Sequence, residues 1–183
     1  MRSPRDNPFR VDRVTALPFV GGDVSAIADR LLALGRGAIV GPHGVGKSTL
    51  MHDVGRMLNE RGVRTITVGL SGSASSAERA GAVNAVAAAP PEAFVLFDGY
   101  EQLTWPERRR ARRHARLLVT AHRPTRLPTL LTLRPTTATL DAVLSTLGVA
   151  PTAAAHAAFA RHRGDVRETL MTLYDAWGDG ENP

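Results

Sequence analysis

The nonapeptide Gly41-Pro42-His43-Gly44-Val45-Gly46-Lys47-Ser48-Thr49 most narrows what this chain can fold into. It separates the apolar run Ala38-Ile39-Val40 from a segment of helical character between Lys47 and about Glu60. Strand, glycine loop, helix is an order in which successive backbone N–H groups converge on an anion and the helix N-terminus adds its partial positive charge. Residues 41–48 fit G-x-x-x-x-G-K-[ST], with both halves of the required context present. Lys47 is then expected to reach the β- and γ-phosphates of a nucleotide, Ser48 to ligate Mg²⁺, and Thr49 to add a phosphate contact. Of the 23 basic residues, 22 are arginine and only Lys47 is lysine. A lysine is kept where a compact charge on a flexible stem does what a planar guanidinium does badly.

The same count tempers the net charge of +6. An arginine-rich, alanine-rich chain has a compositional habit, so its basicity alone is no argument for nucleic acid. The 183 residues suffice for about one domain. The absence of cysteine excludes disulfide frameworks, thiolate zinc sites, iron–sulfur clusters and cysteine nucleophiles. No run of 18 apolar residues occurs and no apolar segment follows the basic N-terminus, so the chain reads as soluble, unprocessed and cytoplasmic, with no membrane insertion.

Residues 1–22, with three prolines and a Gly-Gly, read as an extended arm. Asp23 to Leu34 carries Val24, Ile27, Leu31 and Leu34 at helical spacing. Val63–Leu70 reads as a strand, Ala77–Ala89 as a helix stopped by Pro90-Pro91, and Phe94–Phe97 as a buried parallel strand. Pro106 opens a helix to about His114, followed by the strand Leu117–Ala121 and a weaker one at Leu130–Leu133. Three amphipathic helices follow, at about 137–147, 152–162 and 165–177. This predicts an arm (1–22), an α/β core (23–135) and a helical C-terminal extension (136–183).

Phe94-Val95-Leu96-Phe97-Asp98 has the form of a Walker B strand, with Asp98 at the sheet's C-terminal edge, where ligands sit in open α/β folds. Its carboxylate would hold the Mg²⁺ shell through water. Glu101 is the one other carboxylate within a turn of that strand end and is the candidate to orient or deprotonate an attacking water. Thr120, His122 and Arg123 end the next strand at the same edge, where Thr120, His122 or Arg123 is expected to report on the γ-phosphate by hydrogen bonding, with Thr120 taken as the site residue. His43 reads as a solvent-facing loop residue, and His52, His114, His156 and His162 show no metal-ligand spacing.

Together these residues resemble P-loop NTPases of the division with an additional strand between the Walker A and Walker B strands. GPHGVGKSTL is similar to the Walker A of ABC ATPases, but the interval from Lys47 to Asp98 leaves no room for an ABC helical insertion. AAA+ and STAND NTPases match more of the chain. DGYEQL at 98–103 is similar to the DG-x-D-E-x Walker B of NACHT domains, and VTAHRP at 119–124 to their sensor-1 strand ending T-S-R-P. Glu101 takes the slot of the first acidic residue, and Gln102 replaces the second. Gly164-Asp165-Val166-Arg167-Glu168 looks like the G-N-x-R sensor-2 segment of AAA+ proteins, which makes Arg167 a candidate γ-phosphate contact. The resemblance spans roughly residues 23–177. It implies a three-layer α/β P-loop NTPase fold with a five-stranded, mainly parallel sheet in the order 5-1-4-3-2 and a small helical C-terminal extension.

The expected function is Mg²⁺-dependent ATP or GTP binding with hydrolysis, working as a nucleotide-driven switch on a macromolecular partner, with a protein of unknown identity as the expected one. The alternatives are a small-molecule or nucleotide kinase, a nucleic-acid-associated ATPase, and a degenerate nucleotide-binding module that Gln102 keeps in view. The nucleic-acid alternative rests on Arg108, Arg109, Arg112, Arg113 and Arg116, which share one helix face if the helix extends that far, and predicts weak, sequence-indifferent binding.

Overall fold

The computed structural model describes residues 4–179. By internal contacts the chain divides into two compact units: Asp23–Gly41 with Leu50–Leu133, and the described residues of Met1–Gly22, Pro42–Thr49 and Arg134–Pro183.

The first of these is built on five short strands: β1 (Arg36–Val40), β2 (Thr65–Gly69), β3 (Phe94–Asp98), β4 (Leu117–Ala121) and β5 (Thr129–Thr132). They form one sheet in the order β2-β3-β4-β1-β5, with every neighbouring pair parallel. Read from the other edge, this is the expected order 5-1-4-3-2. The three central strands are buried almost throughout, as continuous apolar runs in a parallel sheet should be, whereas the edge strand β2 is only partly covered.

Alternation along β3 assigns its two faces. Val95 and Phe97 join Leu117 and Val119 in a core closed by Val83 and Val86 of α4 (Ser76–Ala88) and Ala111 of α5 (Trp105–Ala111). Leu96, of opposite parity, lies under α3 (Lys47–Glu60): its Cδ1 comes within 2.5 Å of where a Cβ on Gly55 would stand. Asp98 and Thr120 share the parity of Leu96 and Leu118, so they emerge on the α3 face of the sheet. The helix α2 (Val24–Leu34) starts where Asp23 accepts from the Ser25 and Ala26 N–H groups and stops at Gly35.

Some boundaries differ from those read off the sequence. Strand β1 starts at Arg36, two residues earlier than its apolar run, because ladder bonds to β4 begin there regardless of side chain. Helix α5 ends at Ala111, short of His114: the Arg113 N–H bonds the Arg110 carbonyl in a tightening turn that frees the chain to enter β4. Arg112 is therefore a helix cap, and Arg113 and Arg116 lie beyond the helix. The expected single face of five arginines does not form.

The other unit has its own core. Phe9 packs with Leu140 and Leu144 of α6 (Thr137–Thr146), Ala155 and Phe159 of α7 (Ala153–Arg161), and Leu170 and Leu173 of α8 (Val166–Gly178). Each of these helices opens on a side-chain cap, supplied by Thr136, Thr152 and Asp165. The described part of the N-terminal segment is not wholly extended: a 3-10 turn (Pro4–Asp6) leads to α1 (Val11–Thr15). Asn7 fastens it, its Nδ2 donating to the Tyr174 carbonyl at 3.0 Å while its Oδ1 accepts from the Phe9 N–H at 2.9 Å. Among the described residues no helix is long and apolar enough to cross a membrane.

Because Leu96 is buried between α3 and the central sheet, Leu96→Ala should cost about 2–5 kcal/mol by loss of transfer energy and an unfilled cavity, measured as a lower urea midpoint.

Candidate functional site

The loop between β1 and α3 holds its shape through glycine and its own lysine. Gly44 and Gly46 adopt φ of +66° and +89°, a region costly for residues with a Cβ. Gly44 is doubly restricted, because a Cβ there would run into the carboxylate of Asp165 at the start of α8. The Lys47 side chain is buried, and its Nζ donates to the Pro42 carbonyl across the loop. Pro42, His43 and Ser48 are exposed, Thr49 is half-buried and Val45 is buried beneath the loop. The ring of Phe19 lies beside Gly46, 3.5 Å from the position of a Cβ. No acidic residue occupies the first turn of α3, so the N–H groups opening that helix keep their pull on an anion.

Within the same unit, Asp165 caps α8 by accepting the Glu168 N–H at 3.0 Å. Arg167, the candidate sensor-2 residue, follows two positions later and is exposed. Sequence reading named Arg167 there but missed Asp165, the residue in contact with the loop. The signal available was its Gly-Asp pair ahead of a helix, which announces a cap without saying what the cap touches.

At the C-terminal edge of the sheet, Asp98 and Thr120 end the adjacent strands β3 and β4. The Thr120 hydroxyl donates to Asp98 Oδ1 at 2.5 Å and accepts the Gly99 N–H at 3.1 Å. With its one proton given to Asp98 and its environment buried, Thr120 acts here on the carboxylate. Gly99 has φ +77°, and a Cβ on it would strike the Leu70 carbonyl oxygen. That conformation turns the chain at once into a 3-10 turn, Tyr100–Gln102, which carries Glu101.

Glu101 is held at its side chain and at its backbone. Its Oε1 lies 3.2 Å from His122 Nε2, and its carbonyl accepts from Arg108 Nη2 at 2.6 Å. Its Oε2 is buried with no hydrogen-bond partner among the described residues. Tyr100, beside it, is buried edge-on against Phe97, with ring centroids 5.8 Å apart. Burial pushes its phenol above the ordinary range, opposed by the nearby Arg112 and Arg108 charges. Gln102, in the slot of the second acidic residue, is half-buried. Among the described residues no three His, Asp or Glu side chains cluster as a metal cage.

An α/β unit with this parallel strand order, a glycine loop after its β1 strand and an acidic end to β3 defines a P-loop NTPase fold. Two solved structures are similar to it. The replication initiator DnaA bound to AMPPCP and single-stranded DNA matches with a TM-score of 0.59 and 14% identity, over 86% of this chain and 62% of that one. AMPPCP-bound DnaA from Aquifex aeolicus matches with a TM-score of 0.57 and 15% identity, over 86% and 63%. This chain thus spans less than two thirds of either, and at such identities the likeness is one of fold. No protein-family model matches the sequence, and no curated protein matches it either.

Thr120→Val keeps the side-chain shape and deletes the hydroxyl, leaving the Gly99 N–H unpaired at a buried position. We expect a loss of about 1–3 kcal/mol in nucleotide-free urea denaturation, with Thr120→Ser recovering most of it.

Proposed function

We propose that this chain binds a nucleoside triphosphate, ATP or GTP, with Mg²⁺ in the loop Gly41–Thr49 and hydrolyses it, acting as a nucleotide-driven switch on a protein partner. The observation that carries the reading is the set Asp98, Glu101, Thr120 and His122 at the C-terminal edge of the same sheet whose strand β1 continues into the loop. The fold shared with two AMPPCP-bound DnaA structures supports nucleotide as the ligand class.

The roles follow from the chemistry of each group. Loop N–H groups of Gly44, Val45 and Gly46 receive phosphate oxygens, with Pro42, His43 and Gly41 shaping the loop around them. Lys47 exchanges the Pro42 carbonyl for a phosphate oxygen, which is a better partner because it is charged. Ser48 Oγ and the Asp98 carboxylate are hard oxygen donors of the kind Mg²⁺ takes, and Thr120 occupies only one Asp98 oxygen. Mg²⁺ would supply neutralisation of the triphosphate charge. Glu101 accepts the proton of the attacking water, and Arg167 is the proposed γ-phosphate contact from the C-terminal helices.

Strand β4 stands between β1 and β3, the additional-strand arrangement, which weighs against the kinase alternative. A nucleic-acid-associated ATPase is the second reading, favoured by the exposure of Arg109, Arg113 and Arg116 beside half-buried Arg112. One of the similar DnaA structures is bound to single-stranded DNA. Backbone phosphates would be the contacts, without base readout.

Phosphate release from MgATP or MgGTP tests the reading. Lys47→Ala should abolish both nucleotide binding and release. Glu101→Gln should retain binding and slow release by about 100-fold or more. Equal release by native protein and Glu101→Gln would remove Glu101 from the mechanism.

A further inference from the structure

By its sequence Arg108 belongs to a run of arginines, Arg108-Arg109-Arg110, whose members look interchangeable. Its surroundings distinguish it. Arg109 lies over the ring of exposed Trp105, and Arg110 is exposed. Arg108 instead turns inward. Its Nη2 donates to the Glu101 carbonyl at 2.6 Å, its guanidinium lies 5.8 Å from the centre of the Tyr100 ring, and its Nε is buried without a hydrogen-bond partner among the described residues. Taking a guanidinium partly out of water is unfavourable unless something compensates. Among the described residues no carboxylate pairs with it. Its compensation is the carbonyl of Glu101 and the face of Tyr100.

The 3-10 turn explains why that carbonyl needs a donor. Within the turn the Gln102 N–H takes the Gly99 carbonyl and the Leu103 N–H takes the Tyr100 carbonyl, so the ladder stops one residue short of Glu101. Arg108 supplies the bond from α5. The contact is returned, because the Tyr100 hydroxyl donates to the Arg108 carbonyl at 3.2 Å. Helix α5 is itself fixed at its start, where Glu107 accepts the Thr104 N–H at 2.6 Å and lies 3.4 Å from Arg79 Nε of α4. Glu101 thus hangs between two supports: His122 on its carboxylate and Arg108 on its backbone.

We infer that Arg108 is a positioning residue for Glu101, holding its carbonyl so that the carboxylate keeps the place from which it handles the attacking water. The inference rests on the hydrolytic role proposed for Glu101. It also withdraws Arg108 from any nucleic-acid face. Nucleotide binding involves the loop and does not need Arg108, so the effect falls on turnover.

The test compares Arg108→Met, of similar length without the donor, Arg108→Lys, which keeps an N–H donor, and Arg110→Ala as an exposed neighbour. Nucleotide affinity is measured by calorimetry and steady-state phosphate release by kcat and KM. Arg108→Met should lower kcat at least ten-fold with nucleotide affinity within about two-fold of native, Arg108→Lys should recover part of the loss, and Arg110→Ala should match native. Native-like kcat in Arg108→Met overturns the inference, and so does a parallel fall in affinity and kcat that Arg108→Lys does not relieve. If Arg108→Met does not fold, Arg108→Lys is compared with Arg108→Gln, whose shorter amide falls short of the carbonyl: Arg108→Lys should keep the higher kcat, and equal kcat in the two overturns the inference. Native protein that binds nucleotide without releasing phosphate defeats the hydrolytic reading itself, and the inference with it, whereas native turnover with unaffected Arg108 variants defeats the inference alone.

Discussion

The arrangement at the sheet edge depends on one buried hydroxyl. Thr120 Oγ1 joins the ends of two neighbouring strands by giving its proton to Asp98 and taking the Gly99 N–H. The first bond aims a carboxylate that would otherwise rotate. The second locks the glycine whose left-handed conformation starts the turn carrying Tyr100 and Glu101. The bond from Gly99 is buried and the bond to Asp98 partly so, and an unmade hydrogen bond costs more there than in open water.

How much of this was legible in the sequence depends on how far apart the interacting residues are. The glycine loop announced itself because its glycines, lysine and serine act within nine residues, and strands β3 and β4 because fully buried parallel strands are continuous apolar runs. The strand order followed from the resemblance those motifs carried. Arg36 and Gly37 were not read as strand, since their place comes from ladder bonds to β4 across eighty residues of chain. The arginine run misled because periodicity assumes a continuing helix, and α5 stops at Ala111 to let the chain turn into β4.

The site residues divide along the same line. Asp98 and Glu101 could be named from their distance to a strand end. That Thr120 would bond Asp98, that His122 would meet Glu101, and that Arg108 would face inward could not be, because each contact is made by tertiary folding. The loop tells a similar story. Gly44 reads as a phosphate-loop glycine in sequence, and in the structure it also makes room for the Asp165 carboxylate.

The central claim is that the loop holding Lys47 is a site for a magnesium nucleotide. The most direct measurement is calorimetric titration of MgATP, and separately MgGTP, into the native chain, repeated with the metal chelated. The account predicts saturable binding of one nucleotide per chain that weakens sharply without Mg²⁺. Absence of saturable binding of either triphosphate, or binding indifferent to magnesium and to the presence of the phosphates, would contradict it.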